Sequence, residues 1–375
     1  MIFVTTGLRV MVEVKVEGIV KRYGAVEALK GISLRARSGE LVCILGPSGS
    51  GKSTLLRIIA GLLMPDEGKV FFDTEDVTYL PPWKRNVGFV FQNIALFPHM
   101  TVYDNIAFGL KLRKLPKKEI DRKVKEVLKL VRLEGYEKRR PSQLSGGEAQ
   151  RVAIARALVI DPKVLLFDEP LGHLDAKLRD ELKFEIRRIQ RETKKTAIYV
   201  THDQAEAFAI ADYIYILNRG VIEQGGTPIE LYANPQSPFI ADFVGSSNFL
   251  EGVVREVDKH SYLVSVDIGP LEIKVRGSAD LLPNNSVVVA IRPEDIEITQ
   301  SPSEVEELRR KYLNVIEGSI QRKIFVGPYL RLEVDIGYRE SLKVDVYGER
   351  RFKFINLPIG TRVFIAFSRA AVFKK

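Results

Sequence analysis

The sequence has 375 residues, 45% of them hydrophobic and 28% charged, with a formal net charge of +9. That much apolar material supports a sizeable core in two or three domains and excludes a disordered chain. One cysteine, Cys43, rules out an intrachain disulfide and fits a reducing compartment. No apolar run approaches the ~20 residues that cross a bilayer, so any membrane crossing falls to another chain. The positive excess reads as a solvated, lysine-rich surface carried by helical runs such as Lys117–Lys129, with nucleic acid or anionic headgroups as the other reading.

Residues 1–11 lack the basic start and long apolar stretch of a secretory signal. They read as an N-terminal extension, or as a misassigned start just ahead of a strand-like run. Residues 12–45 alternate as short strands and end in LVCILG, a buried-strand run that closes on a glycine-rich turn. Residues 52–62 continue with helical spacing, so strand, glycine loop and helix form one unit of a mononucleotide-binding α/β fold. Residues 101–160 are mainly helical, within a helical subdomain of about 93–160. An apolar strand at 164–167, a helix over 175–193 and a strand at 196–200 follow, and shorter elements run to about 243.

Beyond about residue 247, period-two alternation replaces helical spacing, apart from a helix-like stretch at 303–313. An internal repeat marks this part. Asn248–Gly252 (NFLEG) is echoed by Asn314–Gly318 (NVIEG), Val266–Gly269 by Val334–Gly337, and Leu282-Pro283 by Leu357-Pro358. The predicted architecture is an α/β mononucleotide-binding domain over 12–243. An all-β, OB-like barrel domain built from two related repeats follows over 244–375.

Residues Gly46, Pro47, Ser48, Gly49, Ser50, Gly51, Lys52 and Ser53 match G-x-x-x-x-G-K-[ST] in the strand-to-helix context the motif requires. The glycines let backbone N–H groups turn toward phosphate oxygens, and the helix N-terminus adds partial positive charge. Lys52 reaches the β- and γ-phosphates of ATP, Ser53 ligates Mg²⁺, and Thr54 completes the ATP-binding set. The apolar strand at 164–167 ends in Asp168 and Glu169. A buried strand carries paired acids at its tip when they serve a cation or a reaction. Asp168 suits the Mg²⁺ shell, and Glu169 suits a base that orients and polarises the attacking water.

Many P-loop ATPases share those two motifs. Leu144, Ser145, Gly146, Gly147 and Glu148, followed by AQRVAIARAL, resemble the signature of ABC ATPases, which is highly specific to them. The resemblance implies a second phosphate cradle at a helix start, facing the ATP held by the opposite subunit of a homodimer. It also implies that Tyr23 stacks on adenine, that Gln92 senses Mg²⁺ and the attacking water, and that Asp175 touches the other subunit. His202 is implied as the switch histidine at the γ-phosphate. The chain departs from the usual pattern at Gly172-His173 and Glu148-Ala149, positions that bear on turnover and dimer contacts rather than on phosphate ligands.

The tail, with IRPEDIEI at 291–298 and FVGPYLRLEV at 325–334, resembles the TOBE-like regulatory β-barrel of importers of the maltose, polyamine and ferric-ion type. The function implied is ATP hydrolysis that energises import of a small solute through separate integral membrane permease subunits. The implied place is the cytoplasmic face of the membrane, with an extracytoplasmic solute-binding protein as an indirect partner and no nucleic acid. Stretches 85–110 and 243–250 look closer to ferric-ion, polyamine and oxyanion importers, with sugars or oligosaccharides as the alternative. A nucleic-acid-associated ABC ATPase is the alternative of another class. The short interval between Lys52 and Ser145, without sustained heptads, argues against it. The segment Asn93–Gly109 carries Ile94, Leu96, Phe97, Val102, Ile106 and Phe108, more apolar surface than a connecting loop needs. The resemblance implies that part of it lines a groove for a short helix of the membrane subunit.

Overall fold

Runs rich in Val, Ile and Leu become strands and runs of helical period become helices, in the order the sequence suggests. The computed structural model describes residues 11–258, 260–277 and 281–375, so residues 1–10 of the expected extension lie outside the described residues. One compact unit ends at Ile229 and the other runs Glu230–Lys375, an earlier division than the 243/244 boundary suggested by the change of texture.

The first unit begins with β1 (Val14–Tyr23), β2 (Val26–Ala36), β3 (Leu41–Leu45), α1 (Lys52–Ala60), β4 (Glu67–Phe72), β5 (Glu75–Asp76), α2 (Pro82–Arg85) and β6 (Val87–Val90). Helices α3 (Val102–Leu112), α4 (Lys117–Leu130) and α5 (Gly146–Leu158) follow. The unit continues with β7 (Val164–Asp168), α6 (Ala176–Thr193), β8 (Thr196–Thr201), α7 (Gln204–Ile210), β9 (Tyr213–Asn218) and β10 (Val221–Gly226).

These strands form a four-stranded antiparallel sheet, β2-β1-β4-β5, and a six-stranded sheet, β10-β9-β3-β8-β7-β6. In the second sheet every pairing is parallel except that of β10 with β9. Strands β3, β7 and β8 are buried along their whole length, which is why they read as continuous apolar runs. Val14 and Val16 of one sheet, Ile44, Leu166 and Val200 of the other, and Leu55 and Ile59 of α1 share one core. The parallel register aligns the C-terminal tips: Leu45 lies opposite Thr201, Asp168 opposite Val200 and Val90 opposite Phe167. The loops that leave these strands therefore start from one edge of the sheet, where open α/β sheets receive their ligands.

Two buried polar side chains hold the surrounding loops. Arg85 donates to the carbonyls of Ile58 and Ile59 (both 2.8 Å), Thr78 (2.6 Å) and Leu80 (2.8 Å), closing the C-terminal end of α1. Burial pushes its pKa down to about 10. Asn105 on α3 accepts from Phe97 N–H at 2.8 Å and donates to the carbonyls of Phe97 and Thr101 at 3.1 and 3.0 Å, which pins the loop before α3.

Helix α8 (Pro228–Ala233) spans the division, and α9 (Pro238–Phe243) then precedes β11 (Asn248–Asp258), β12 (Leu263–Ile268), β13 (Leu271–Arg276), β14 (Ser286–Ile291) and β15 (Glu297–Thr299) of the second unit. Then come α10 (Val305–Lys311), β16 (Asn314–Phe325), β17 (Tyr329–Asp335), β18 (Leu342–Tyr347), α11 (Arg350–Ile355), β19 (Arg362–Phe367) and β20 (Ala371–Lys374). Two five-stranded sheets, β13-β12-β11-β14-β20 and β15-β19-β16-β17-β18, enclose one core.

The repeat is structural. Strands β11 to β14 correspond to β16 to β19, but the fifth strands are exchanged: β15 pairs with β19, and β20 pairs with β14. The echoed asparagines act alike across the two halves. The Asn248 amide bridges the backbone N–H and C=O of Lys343 on β18 (2.7 and 2.8 Å), and that of Asn314 bridges Lys274 on β13 (both 2.7 Å). The echoed glycines also match. A Cβ on Gly252 would lie 2.6 Å from Asp267 O, and one on Gly318 would lie 2.6 Å from Asp335 O.

Candidate functional site

At the tip of β3 the chain turns into the glycine loop. A Cβ on Gly46 would lie 2.0 Å from Leu217 O, and one on Gly51 would lie 2.8 Å from Ala28 O, so the close backbone approach requires glycine at both. Lys52 opens α1 and is buried. Its Nζ donates to the carbonyls of Gly46 and Pro47, both at 2.9 Å, and lies 3.9 Å from Glu169 Oε1. Burial lowers its pKa, against the opposing pull of Glu169 and Asp168. Thr54 follows on the same helix, partly buried.

Ser53 Oγ donates to Asp168 Oδ1 at 2.6 Å, and Arg57 Nη2 lies 3.8 Å from Asp168 Oδ2. Burial raises the Asp168 pKa, while the Ser53 hydrogen bond and Arg57 act to lower it. Glu169 has φ of 43°, a left-handed conformation that costs a non-glycine residue about 1–3 kcal/mol. Its N–H donates to Val200 O at 3.0 Å and its C=O accepts from Gly172 N–H at 3.2 Å, which holds the turn. His202 Nδ1 sits 3.1 Å from Glu169 Oε2. Strands β3, β7 and β8 thus bring Lys52, Ser53, Asp168, Glu169 and His202 into one connected cluster.

Ser53 Oγ and Asp168 Oδ1 are a pair of hard oxygen ligands of the kind Mg²⁺ takes. Among the described residues no group of three His, Cys, Asp or Glu side chains could hold a metal alone. The pair therefore fits an ion whose shell is completed by phosphate oxygens and water.

The other sequence-identified residues lie apart from this cluster. Ser145 is the N-cap of α5: its Oγ accepts from Glu148 N–H at 3.3 Å while Glu148 Oε2 accepts from Ser145 N–H at 2.7 Å, a reciprocal capping box. Tyr136 OH donates to the second Glu148 oxygen at 2.8 Å. Gly146 is exposed beside it, and a Cβ on Gly147 would lie 2.7 Å from Leu178, so Gly147 seats α5 against α6. Asp175 caps α6 by accepting from Leu178 N–H at 3.0 Å. Tyr23 is half-exposed, and Gln92 is exposed just after β6. Among the described residues, no hydrogen bond or ion pair joins Tyr23, Gln92, Ser145 or Asp175 to the Lys52–Glu169 cluster.

The segment 93–109 divides. Val102 and Ile106 are buried in the helical core, whereas Phe97 and Phe108, with ring centroids 4.8 Å apart, line a cleft of about 420 Å³ with Phe89, Phe91, Ala157 and Ile160. Four residues near the site were not singled out from sequence: Arg57, Arg179, Asp203 and Glu206. The D-x-x-E pattern of Asp203 and Glu206 was a readable cap signal, and Asp203 Oδ1 does accept from Glu206 N–H at 3.1 Å. The two arginines meet their partners only on folding.

Residues 29–172 match the ABC transporter family and residues 289–373 match the TOBE domain family. The sulfate/thiosulfate import ATP-binding protein CysA of Bacillus cereus is 42% identical over 366 residues, covering 96% of this chain and 98% of that protein. The spermidine/putrescine import ATP-binding protein PotA of Acetivibrio thermocellus is 46% identical over 316 residues, covering 84% of this chain and 85% of that one. The dimeric structure of MJ0796, a bacterial ABC transporter cassette, superposes with a TM-score of 0.52 at 36% identity. It covers 57% of this chain and 98% of its own. No helix among the described residues is long and apolar enough to cross a membrane.

Proposed function

Because the chain belongs to the ATP-binding subunits of ABC importers, we propose that two copies of it close around two ATP molecules and drive a solute through separate permease subunits. The observation that carries this reading is the cluster at the strand tips, where a buried lysine, a serine–aspartate pair, a strained glutamate and a histidine converge.

ATP enters with its phosphates along Gly46–Ser53. Lys52 Nζ exchanges its two loop carbonyls for β- and γ-phosphate oxygens. Ser53 and Asp168, with Gln92, would hold Mg²⁺, which supplies charge neutralisation on the phosphates. Glu169 takes a proton from the water that attacks the γ-phosphorus, and ADP departs as the bond to its β-phosphate oxygen breaks. His202, bonded to the Glu169 carboxylate, orients that base and reaches the γ-phosphate. Tyr23 stacks on adenine. Ser145 and the N–H groups at the start of α5, from Gly146 on, complete the site from the opposite subunit, with Leu144 and Glu148 fixing their turn. Asp175 meets that subunit beside them.

The Phe97 cleft receives a short helix of the permease, so the protein works at the inner face of the membrane without crossing it. By function the boundary falls at 243/244, after α9 and later than the 229/230 division between the compact units, with the ATPase over 12–243 and a regulatory barrel over 244–375. The solute class is polyamine or oxyanion, supported by the similarity to the sulfate/thiosulfate importer protein CysA and the spermidine/putrescine importer protein PotA.

Glu169→Gln in the full chain should bind ATP as the wild type does, hydrolyse it roughly 10²–10⁴-fold more slowly and accumulate as an ATP-bound dimer. Wild-type turnover would remove Glu169 from the role of base. Failure of the full chain to co-purify with an integral membrane subunit would remove the transport assignment.

A further inference from the structure

Arg179 belongs to no motif, yet it ties together the two loops that the proposed mechanism needs in register. It lies on α6 about one turn beyond Asp175. Its Nη2 donates to the carbonyl of Leu174 at 3.0 Å, the residue before Asp175. Its Nη1 donates to Asp203 Oδ2 at 3.2 Å, the residue after His202. Its Nε is buried without a hydrogen bond, 3.8 Å from Glu206 Oε1. Both acids are themselves fixed. Asp203 Oδ1 caps α7, and Glu206 Oε2 accepts from the hydroxyls of Tyr199 and Thr201 at 2.9 and 2.8 Å. A planar guanidinium with two directed bonds passes a displacement from one loop to the other, which a single ammonium cannot do in the same geometry.

We infer that Arg179 is a positioning residue that couples Asp175, on the face toward the second subunit, to His202 and Glu169, so that hydrolysis answers to dimer closure. The inference rests on the proposed contact of Asp175 with the opposite subunit. The open Nε–Glu206 distance gives the clasp a second arrangement. A shift of about 1 Å between α6 and α7 brings that pair into hydrogen-bond range, and a small displacement of this kind is what a packed two-state element amplifies.

The test is a double-mutant cycle on the full chain, Asp175→Ala against Arg179→Ala, reading kcat, KM for ATP and melting temperature. Arg179→Ala should lower kcat about 10-fold, with KM changed by less than about twofold. Arg179→Lys should fail to restore the rate, and the double variant should be no slower than the slower single one. Losses that multiply, or a lowered melting temperature with normal kcat, overturn the clasp. If Arg179→Ala does not fold, Arg179→Lys takes its place in the same cycle under the same criteria. Light scattering of Glu169→Gln with ATP separates the two readings. Absence of dimers overturns the shared-site arrangement and this inference with it, whereas dimers with multiplying kinetics overturn the clasp alone.

Discussion

Asp168 sits in a conflict between folding and function. It is almost fully buried, and desolvation outweighs its hydrogen bond from Ser53, so its pKa is raised above the usual 3.8. A carboxyl whose pKa is higher in the folded protein favours folding when protonated. That stability is complete below the unfolded pKa and disappears as pH rises through the folded one. At neutral pH the ionised group is therefore a burden on the folded protein, one that the proposed Mg²⁺–ATP ligation would relieve. Asp168→Asn should raise the melting temperature of the nucleotide-free, metal-free protein at neutral pH. The gap should narrow as pH falls into the carboxylate range, and the same variant should bind Mg²⁺–ATP more weakly. A lower melting temperature at neutral pH would mean that the Ser53 bond and Arg57 overcome burial. Lys52, Ser53, Asp168 and Glu169 were readable because each belongs to a contiguous run whose chemistry is local. Arg85, Asn105 and Arg179 were not. Their partners include main-chain carbonyls or distant acids delivered by folding, and a lone arginine or asparagine in sequence carries no sign of that.

At the scale of elements, the signature helix shows how a departure in sequence can be structurally conservative. Glu148, one of the departures from the usual signature, closes a capping box with Ser145 while accepting from Tyr136. The Ser145 N–H, with Tyr136, holds its pKa below the ordinary 4.5. A depressed pKa means that its contribution is present through neutral pH and is lost as pH falls through the lowered value. Glu148→Ala should cost about 1 kcal/mol of stability at neutral pH, whereas Glu148→Gln, which can still accept from Ser145 N–H, should cost far less. Thermal melting of both variants at pH 7 decides the point. Segment 93–109, the loop before α3 and its first turns, likewise holds two kinds of apolar residue. Phe97 lines the cleft, so Phe97→Ala should weaken assembly with the permease by about 2 kcal/mol or more and spare basal ATPase. Loss of basal ATPase and melting temperature with normal assembly would make Phe97 a core residue. Helical and strand periods revealed a mainly helical stretch at 101–160, α6, β7 and β8, but they could not divide segment 93–109 into core and cleft. That division depends on which turn of α3 meets α5.

Across the whole molecule, the clearest regularity is the doubled barrel. Gly252 and Gly318 hold equivalent positions, and a Cβ on either would meet the equivalent carbonyl at the same 2.6 Å. Gly252→Ala and Gly318→Ala should therefore destabilise by similar amounts, each about 1–3 kcal/mol, because backbone rather than a flexible side chain must move. Denaturant midpoints differing by more than a factor of two between them would show that the two halves differ in rigidity. The repeat was legible because NFLEG and NVIEG preserve the asparagine and glycine that the fold uses. The exchange of β15 and β20 was not legible, since a short strand carries no label for the half it joins. That exchange bears on the order in which the protein can be made. During synthesis from the N-terminus, β11 to β14 emerge early, yet the edge of β14 is covered only when β20 emerges after the entire second half. The edge of β14 therefore stays open until the last strand of the barrel is available. Damage to a few residues of β20 should thus be felt first in the half of the barrel farthest from it along the chain.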